Sequence, residues 1–312
     1  MRRAYSDFMK ALNDGKFVFT GEIEPKKTTK LEGIIEAAKV LKNHVVACNV
    51  TDNPRARAYL SSLVASYVIQ SDVGLETICH MTVRDRNRLA LISDLLGASV
   101  LGIKNVLVIS GDHTTGGDNP GAMPVYDLDS TQFVQMVRGM VDKGIDLNGN
   151  PIDGMVKLHV GVVGNPNADP LEVELCKVER KIDAGAEFVQ TQIVFDVEKA
   201  KRFVKELNSS VPVLIGIFPC KSYRIAEFIA NKIPGISVPK EYIEGLKSAG
   251  VSGNGSEIEI INKIDIVNVE YFSTLIKELR RTTKTAGIHI MTMGYESIVG
   301  KITDRALDGT SR

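Results

Sequence analysis

The sequence contains no tryptophan and only four cysteines among its 312 residues. The cysteines are Cys48, Cys79, Cys176 and Cys220, and the intervals between them match no zinc or iron–sulfur pattern. Each lies in or beside an apolar stretch, which favours buried, reduced thiols. We therefore expect no metal centre formed by this chain.

The sequence also lacks an excess of either charge, because Lys and Arg together number 38, as do Asp and Glu. A nucleic-acid-binding protein needs a basic surface to contact phosphates, so this balance argues against that class. No apolar run approaches the roughly 18 residues that suggest a membrane span, and the first residues lack the apolar core of a secretory signal. We expect a cytoplasmic protein.

What the sequence does contain is a regular alternation of short apolar runs with longer helical stretches. The runs are continuous and rich in Val and Ile, as in strands that are covered on both faces. They occupy residues 17–23, 45–51, 75–82, 105–110, 157–164, 188–194, 211–218 and 288–293.

Eight such strand–helix units predict parallel strands joined by right-handed crossovers and closed into a (β/α)8 barrel, the TIM-barrel fold of the α/β class. We predict a single barrel domain over residues 1–312, with a helical insertion at residues 234–257 before the last helix–strand unit. The main alternative is a doubly wound open sheet. A dinucleotide-binding sheet of that kind would show GxGxxG after its first strand, whereas residues 21–25 here read GEIEP.

Polar residues follow or end most of the predicted strands, which is where a TIM barrel places its chemistry. They include Glu22, Thr51, His80, Ser110, Gly111, Asp112 and Gln192. Each has a structural explanation of its own: a carboxylate can cap the next helix, a histidine can be satisfied in the core, and Gly-Asp can form a turn. The convergence of many such residues on one rim predicts a site there, without identifying its reaction.

Glu22 has the most specific sequence context. It lies in a strand between apolar neighbours, so partial loss of hydration is expected. Desolvation raises the pKa of a glutamic acid and allows the side chain to hold a proton near neutrality, as a general acid must.

Several motifs give the sequence a recognisable pattern. It resembles the methylenetetrahydrofolate reductase family from about residue 17 to residue 307. The matching segments are residues 21–25 (GEIEP), 79–82 (CHMT), 110–112 (SGD), 180–186 (RKIDAGA) and 191–196 (TQIVFD). Residues 84–88 (RDRNR) and 124–129 (PVYDLD) are similar to the branch of that family found in anaerobes, including acetogens.

The resemblance implies reduction of 5,10-methylenetetrahydrofolate to 5-methyltetrahydrofolate by hydride transfer from a bound reduced flavin. By position, Glu22 is expected to be the general acid that opens the five-membered ring to a cationic iminium. Asp112 is expected to stabilise that cation. Gln192 and Tyr223 match positions that bind the substrate.

The resemblance also implies a set of flavin contacts, with FAD as the expected cofactor and FMN as the alternative. The expected contact residues are Thr51, His80, Ser110, Gly111, Asp112, Glu174, Arg180 and Lys181. Arg180 and Lys181 are suited to phosphate because both are cationic donors. Ser110 replaces a family arginine and Glu174 replaces an aspartate, so the contacts to the outer part of the flavin differ.

The electron source stays open at this stage. NAD(P)H is the usual donor of the family, whereas the anaerobe-like branch implies a partner subunit with iron–sulfur clusters. We expect an oligomer or a heteromeric complex. Two other functions remain as alternatives: a flavin barrel acting on another one-carbon carrier of the methanopterin type, and a non-catalytic barrel subunit.

Overall fold

The computed structural model describes residues 3–233, 235–250 and 257–308. Eight parallel strands pair in chain order, and β1 closes the sheet against β8 through the register Val18↔Gly287. The strands are β1 (Val18–Ile23), β2 (Ala47–Val50), β3 (Thr77–Thr82), β4 (Asn105–Ile109), β5 (His159–Gly164), β6 (Phe188–Ile193), β7 (Val213–Ile217) and β8 (Gly287–Ile290).

This topology confirms the predicted (β/α)8 barrel and excludes the doubly wound open sheet, because the first and last strands are hydrogen-bonded neighbours. All eight apolar runs form strands. β2, β3, β7 and β8 are buried along their whole length, as expected for strands enclosed by helices on one face and by the barrel interior on the other.

Most of the helices within the described ranges cover the outside of the barrel with their apolar faces, and the first of them lies below the strands. They are α1 (Asp7–Asn13), α2 (Glu32–Leu41), α3 (Ser62–Val68), α4 (Arg88–Val100), α5 (Ser130–Arg138), α6 (Leu171–Asp183), α7 (Val197–Leu207), α8 (Tyr223–Lys232), α9 (Lys240–Gly250), α10 (Glu257–Thr282) and α11 (Ser297–Leu307). Within the described ranges, none of the helices is both long enough and apolar enough to cross a membrane.

The helical insertion before the last strand is confirmed by α9. Pro234 and residues 251–256, which belong to the same predicted segment, lie outside the described residues. The Tyr242 side chain is buried between Phe195 and Phe272, with ring centroids 5.6 Å from each. Its hydroxyl donates to Asn268 Oδ1 at 2.7 Å, so the insertion is fixed to α10 by both packing and a buried hydrogen bond.

The lower end of the barrel, at the N-terminal ends of the strands, is closed by α1. Ser6 caps this helix by accepting from the Met9 N–H, and the Glu76 carboxylate accepts from the Asp7 and Phe8 N–H groups. The Phe8 ring packs edge-on against Phe188 at 5.1 Å between centroids. The helix therefore seals the bottom and leaves the opposite rim as the open end.

Candidate functional site

A cavity of about 400 Å³ lies at the C-terminal ends of the strands. Its lining combines charged and amide side chains at the sides with apolar strand residues below. The lining includes Glu22, Thr51, His80, Ser110, Gly111, Asp112, Glu174, Lys181, Gln190, Gln192 and His289. Most of the residues predicted from the sequence are therefore brought together around one space, at the end of the barrel where they were expected.

Glu22 enters this cavity from β1 and is largely withdrawn from solvent. Its side chain is 12% exposed, and its Oε2 lies 3.7 Å from Nε2 of His289 on β8. This low exposure agrees with the partial desolvation expected for Glu22. His289 was not among the site residues predicted from the sequence.

A buried hydrogen-bond network fixes the tautomer of His289. The Gly21 carbonyl can only accept, so Asn49 directs its Nδ2 group toward that oxygen (3.3 Å) and toward His289 Nδ1 (3.1 Å). Asn49 Oδ1 then accepts from His80 Nε2 at 2.9 Å. Because His289 Nδ1 is an acceptor, its proton resides on Nε2, the nitrogen that faces Glu22.

His80 occupies the end of this network and is kept neutral. Burial is the main cause that lowers its pKa from 6.5 to about 4, and the nearby Glu22 carboxylate opposes the shift. The ring therefore remains an uncharged donor to Asn49 across the neutral range. This arrangement suits a residue that contacts a neutral heterocycle, which is the role predicted for it.

The pKa of His80 predicts an acid-sensitive loss of stability. The unfolded chain takes up the proton near pH 6.5 and the folded chain only near pH 4, so the free energy of unfolding falls as pH decreases through that window. We expect His80 to account for about 2–3 kcal/mol of that loss. Urea titrations at several pH values should show a shallower decline for His80→Gln.

The exposed His113 offers a matched control for this experiment, because His113→Gln removes an imidazole from the same rim without removing a buried one. It should preserve the wild-type pH dependence. An identical decline in the His80 variant and the wild type would show that His80 does not titrate in this window.

Asp112 is held by the segment that follows β2. Its Oδ2 accepts from the Arg55 N–H at 2.6 Å. Asn53, Arg55 and Ala56 have φ values of 45°, 56° and 53°, in the left-handed region that residues with a side chain seldom adopt. The Arg55 guanidinium pairs with Glu24 after β1, so segment 53–56 links three strand ends around the carboxylate.

Arg84 holds the backbone of Asp112 and of segment 53–56. Its side chain is only 2% exposed, and its guanidinium donates to the Asp112 carbonyl at 2.9 Å and to the Asn53 carbonyl at 3.2 Å. Gly111 adopts a φ of +86°, and a Cβ there would lie 3.1 Å from Arg84 Cβ. The Gly-Asp pair is thus placed by a close approach to a buried arginine.

The other arginines of residues 84–88 also bind across the rim. Arg86 pairs with Asp52 at 2.6 Å and with Asp94 at 2.8 Å, and Arg88 pairs with Asp127 at 2.8 Å. The alternating charges in this segment therefore connect the loops after β2, β3 and β4.

The side of the cavity near α6 carries Lys181 and Glu174. Lys181 Nζ donates to the Val163 carbonyl at 3.0 Å, and burial lowers the pKa of its ammonium group, while Glu174 acts in the opposite direction. Glu174 Oε1 accepts from the Asn165 N–H at 3.0 Å. The Lys181 ammonium group uses one N–H donor for the Val163 carbonyl and keeps its other donors for an anionic group.

Two predicted contact residues do not line the cavity. Arg180 is exposed on α6, next to Lys181, and Tyr223 is half-buried at the start of α8. Gln192 lines the cavity and is exposed at the end of β6, with its Oε1 accepting from the Ile193 N–H at 3.1 Å. The roles predicted for all three remain predictions.

The comparisons with known proteins give a consistent family. The family model described as "Methylenetetrahydrofolate reductase" matches residues 7–307. A "Probable methylenetetrahydrofolate reductase (NADPH)" of Caenorhabditis elegans is 27% identical over 60% of this chain and 26% of its own length. The "5,10-methylenetetrahydrofolate reductase" of Salmonella typhimurium is 25% identical over 70% of this chain and 69% of its own length.

The chain spans well under half the length of several of these relatives, including 40% of a Zea mays protein. Among solved structures, one titled "Uncharacterized protein from Clostridium thermocellum binds two copies of 5-methyl-5,6,7,8-tetrahydrofolic acid" has a TM-score of 0.65 at 17% identity. It covers 95% of this chain and 97% of its own, and it supports the fold. With the family model matching almost the whole sequence, the chain belongs to the methylenetetrahydrofolate reductase family.

Proposed function

We propose that this chain reduces 5,10-methylenetetrahydrofolate to 5-methyltetrahydrofolate with a bound flavin. The observation that carries the proposal is that Glu22 and Asp112, from strands on different sides of the rim, line one cavity together with Gln192. The family membership supports the same reaction. A barrel of the same fold binds 5-methyltetrahydrofolate, so the architecture can accommodate a reduced folate.

The cavity residues fit a flavin. Thr51 Oγ1 and Gln190 Oε1 are buried, line this space and have no hydrogen-bond partner among the described residues, as expected where a polar heterocycle would complete the contacts. Lys181 supplies a cation at one side. We propose Thr51, His80, Ser110, Gly111, Glu174 and Lys181 as the residues that hold the cofactor, and FAD in preference to FMN.

A bound reduced flavin supplies the hydride. Glu22 donates its proton to the ring nitrogen of the substrate that leaves the methylene carbon, which opens the ring to the cationic iminium. The carboxylate that remains on Glu22 faces the Nε2–H group of His289. Asp112 stabilises the positive charge of the iminium, and Gln192 holds the flat pterin edge through its amide.

The most direct test uses the purified chain reconstituted with FAD and reduced under anaerobic conditions. Addition of methylenetetrahydrofolate should restore the absorbance of the oxidised flavin and produce 5-methyltetrahydrofolate in equal amount. A protein that binds flavin but is not reoxidised would refute the proposed substrate. A protein that binds no flavin would favour a non-catalytic barrel subunit.

The electron donor is a separate part of the proposal. Cys48, Cys79 and Cys220 are buried, and no group of three or more His, Cys, Asp or Glu side chains within the described ranges could hold a metal ion. We propose an iron–sulfur partner subunit as the donor, with NAD(P)H as the alternative. NADH oxidation by the flavin-loaded chain alone would favour the alternative.

A further inference from the structure

We propose that Gln190 is a further ligand-binding residue, whose amide oxygen accepts the N3–H group of the heterocycle bound in the cavity. The inference rests on the proposed function, since flavins and pterins both carry this cyclic amide N–H beside a carbonyl.

The Gln190 side chain is buried and incompletely paired. It belongs to β6, is 1% exposed and lines the cavity. Its Nε2 donates to Thr20 Oγ1 at 3.3 Å, whereas its Oε1 has no partner among the described residues. Leaving a buried carbonyl oxygen without a donor is unfavourable, so a ligand that brings an N–H group gains affinity from it.

The direction of the hydrogen bonds determines which end of the amide is free. Asn49 donates to His289 Nδ1, so this nitrogen is an acceptor. The Thr20 hydroxyl, 3.0 Å away, can then only donate to it, and the two donors share its single lone pair. The Thr20 oxygen then accepts from the Gln190 NH2 group. The Gly21 carbonyl can only accept, and this sets the direction of each hydrogen bond in the network. The free end of the Gln190 amide is therefore its oxygen, and a matching ligand must offer a donor.

Two pairs of small ligands test the proposed hydrogen bond to Gln190 in the wild-type chain, so the result does not depend on whether a variant folds. Lumiflavin and pterin both have the N3–H group, and 3-methyllumiflavin and 3-methylpterin lack it. We expect the wild-type chain to bind the methylated member of one pair about 10-fold more weakly, as expected for loss of one buried hydrogen bond. Equilibrium dialysis of all four compounds gives the dissociation constants.

Variants then show whether the Gln190 side chain causes the difference in affinity within a ligand pair. Gln190→Met has similar length and no acceptor, so it should bind the two members of the affected pair equally. Gln190→Glu keeps an acceptor and should retain the preference for N3–H. Gln135→Met, on the exposed face of α5, is the matched control and should behave as the wild type.

Each outcome has a distinct meaning. Discrimination within the flavin pair identifies the cofactor as the donor, and discrimination within the pterin pair identifies the substrate. Equal binding of both members in both pairs, or discrimination that persists in Gln190→Met, would overturn the inference. A wild-type chain that binds none of the four compounds would instead refute the proposed function.

Discussion

Replacing Glu22 by glutamine should lower the rate of folate reduction by about 10³-fold while leaving flavin affinity within about twofold of the wild type. The amide preserves the size of the side chain but cannot supply the proton that opens the substrate ring. Single-turnover reoxidation of the reduced flavin by methylenetetrahydrofolate, measured by anaerobic rapid mixing, reports this step alone.

Glu24 provides the matched control for that variant. It follows the same strand, is also shielded from solvent, and pairs with Arg55 and Lys26 at the rim. Glu24→Gln should slow reoxidation far less than Glu22→Gln. Full turnover in the Glu22 variant, or equal losses in the two variants, would exclude Glu22 as the general acid.

Asp112→Asn should slow folate reduction by about 10²-fold and flavin reduction much less. The asparagine oxygen can still accept from the Arg55 N–H group, so segment 53–56 keeps its hydrogen bond and the change is mainly the loss of a negative charge. That charge matters most when the substrate becomes a cation. Measuring the two half-reactions separately distinguishes the effects.

Asp127→Asn makes the same chemical change at a rim carboxylate that pairs with Arg88 outside the cavity, and it should leave both half-reactions close to wild type. Equal slowing of flavin and folate reduction in the Asp112 variant would contradict stabilisation of the iminium. It would indicate instead that Asp112 mainly shapes the loop.

The strands and the position of the site could be predicted because both depend on local patterns. Continuous Val and Ile runs define buried strands, and polar residues at their ends converge once the barrel closes. The helix α1 was not predicted because it is short and its capping depends on Glu76, which is distant in the chain. Its stability is a tertiary effect that local propensity does not show.

His289 was not predicted as a site residue for a related reason. It stands between Ile288 and Ile290, as a buried core histidine would, and the reasoning applied to His80 would have identified it as a candidate. Its significance depends on Thr20 and Asn49, which contact it only because β1, β2 and β8 are neighbours in the closed barrel. The spacing of these residues along the sequence does not show that their strands become neighbours.

The placement of Asp112 was foreseen, but its support was not. The Arg55 N–H group faces the carboxylate from a segment in which Asn53, Arg55 and Ala56 adopt left-handed conformations. Such conformations are set by the surrounding loops and are not evident from residue type. The buried position of Arg84 likewise depends on Gly111 approaching its side chain.

The packing of Phe8 against Phe188 closes the barrel at the end opposite the cavity. In the proposed reaction, 5-methyltetrahydrofolate would have to leave through the rim before the next methylenetetrahydrofolate could occupy the place beside Glu22.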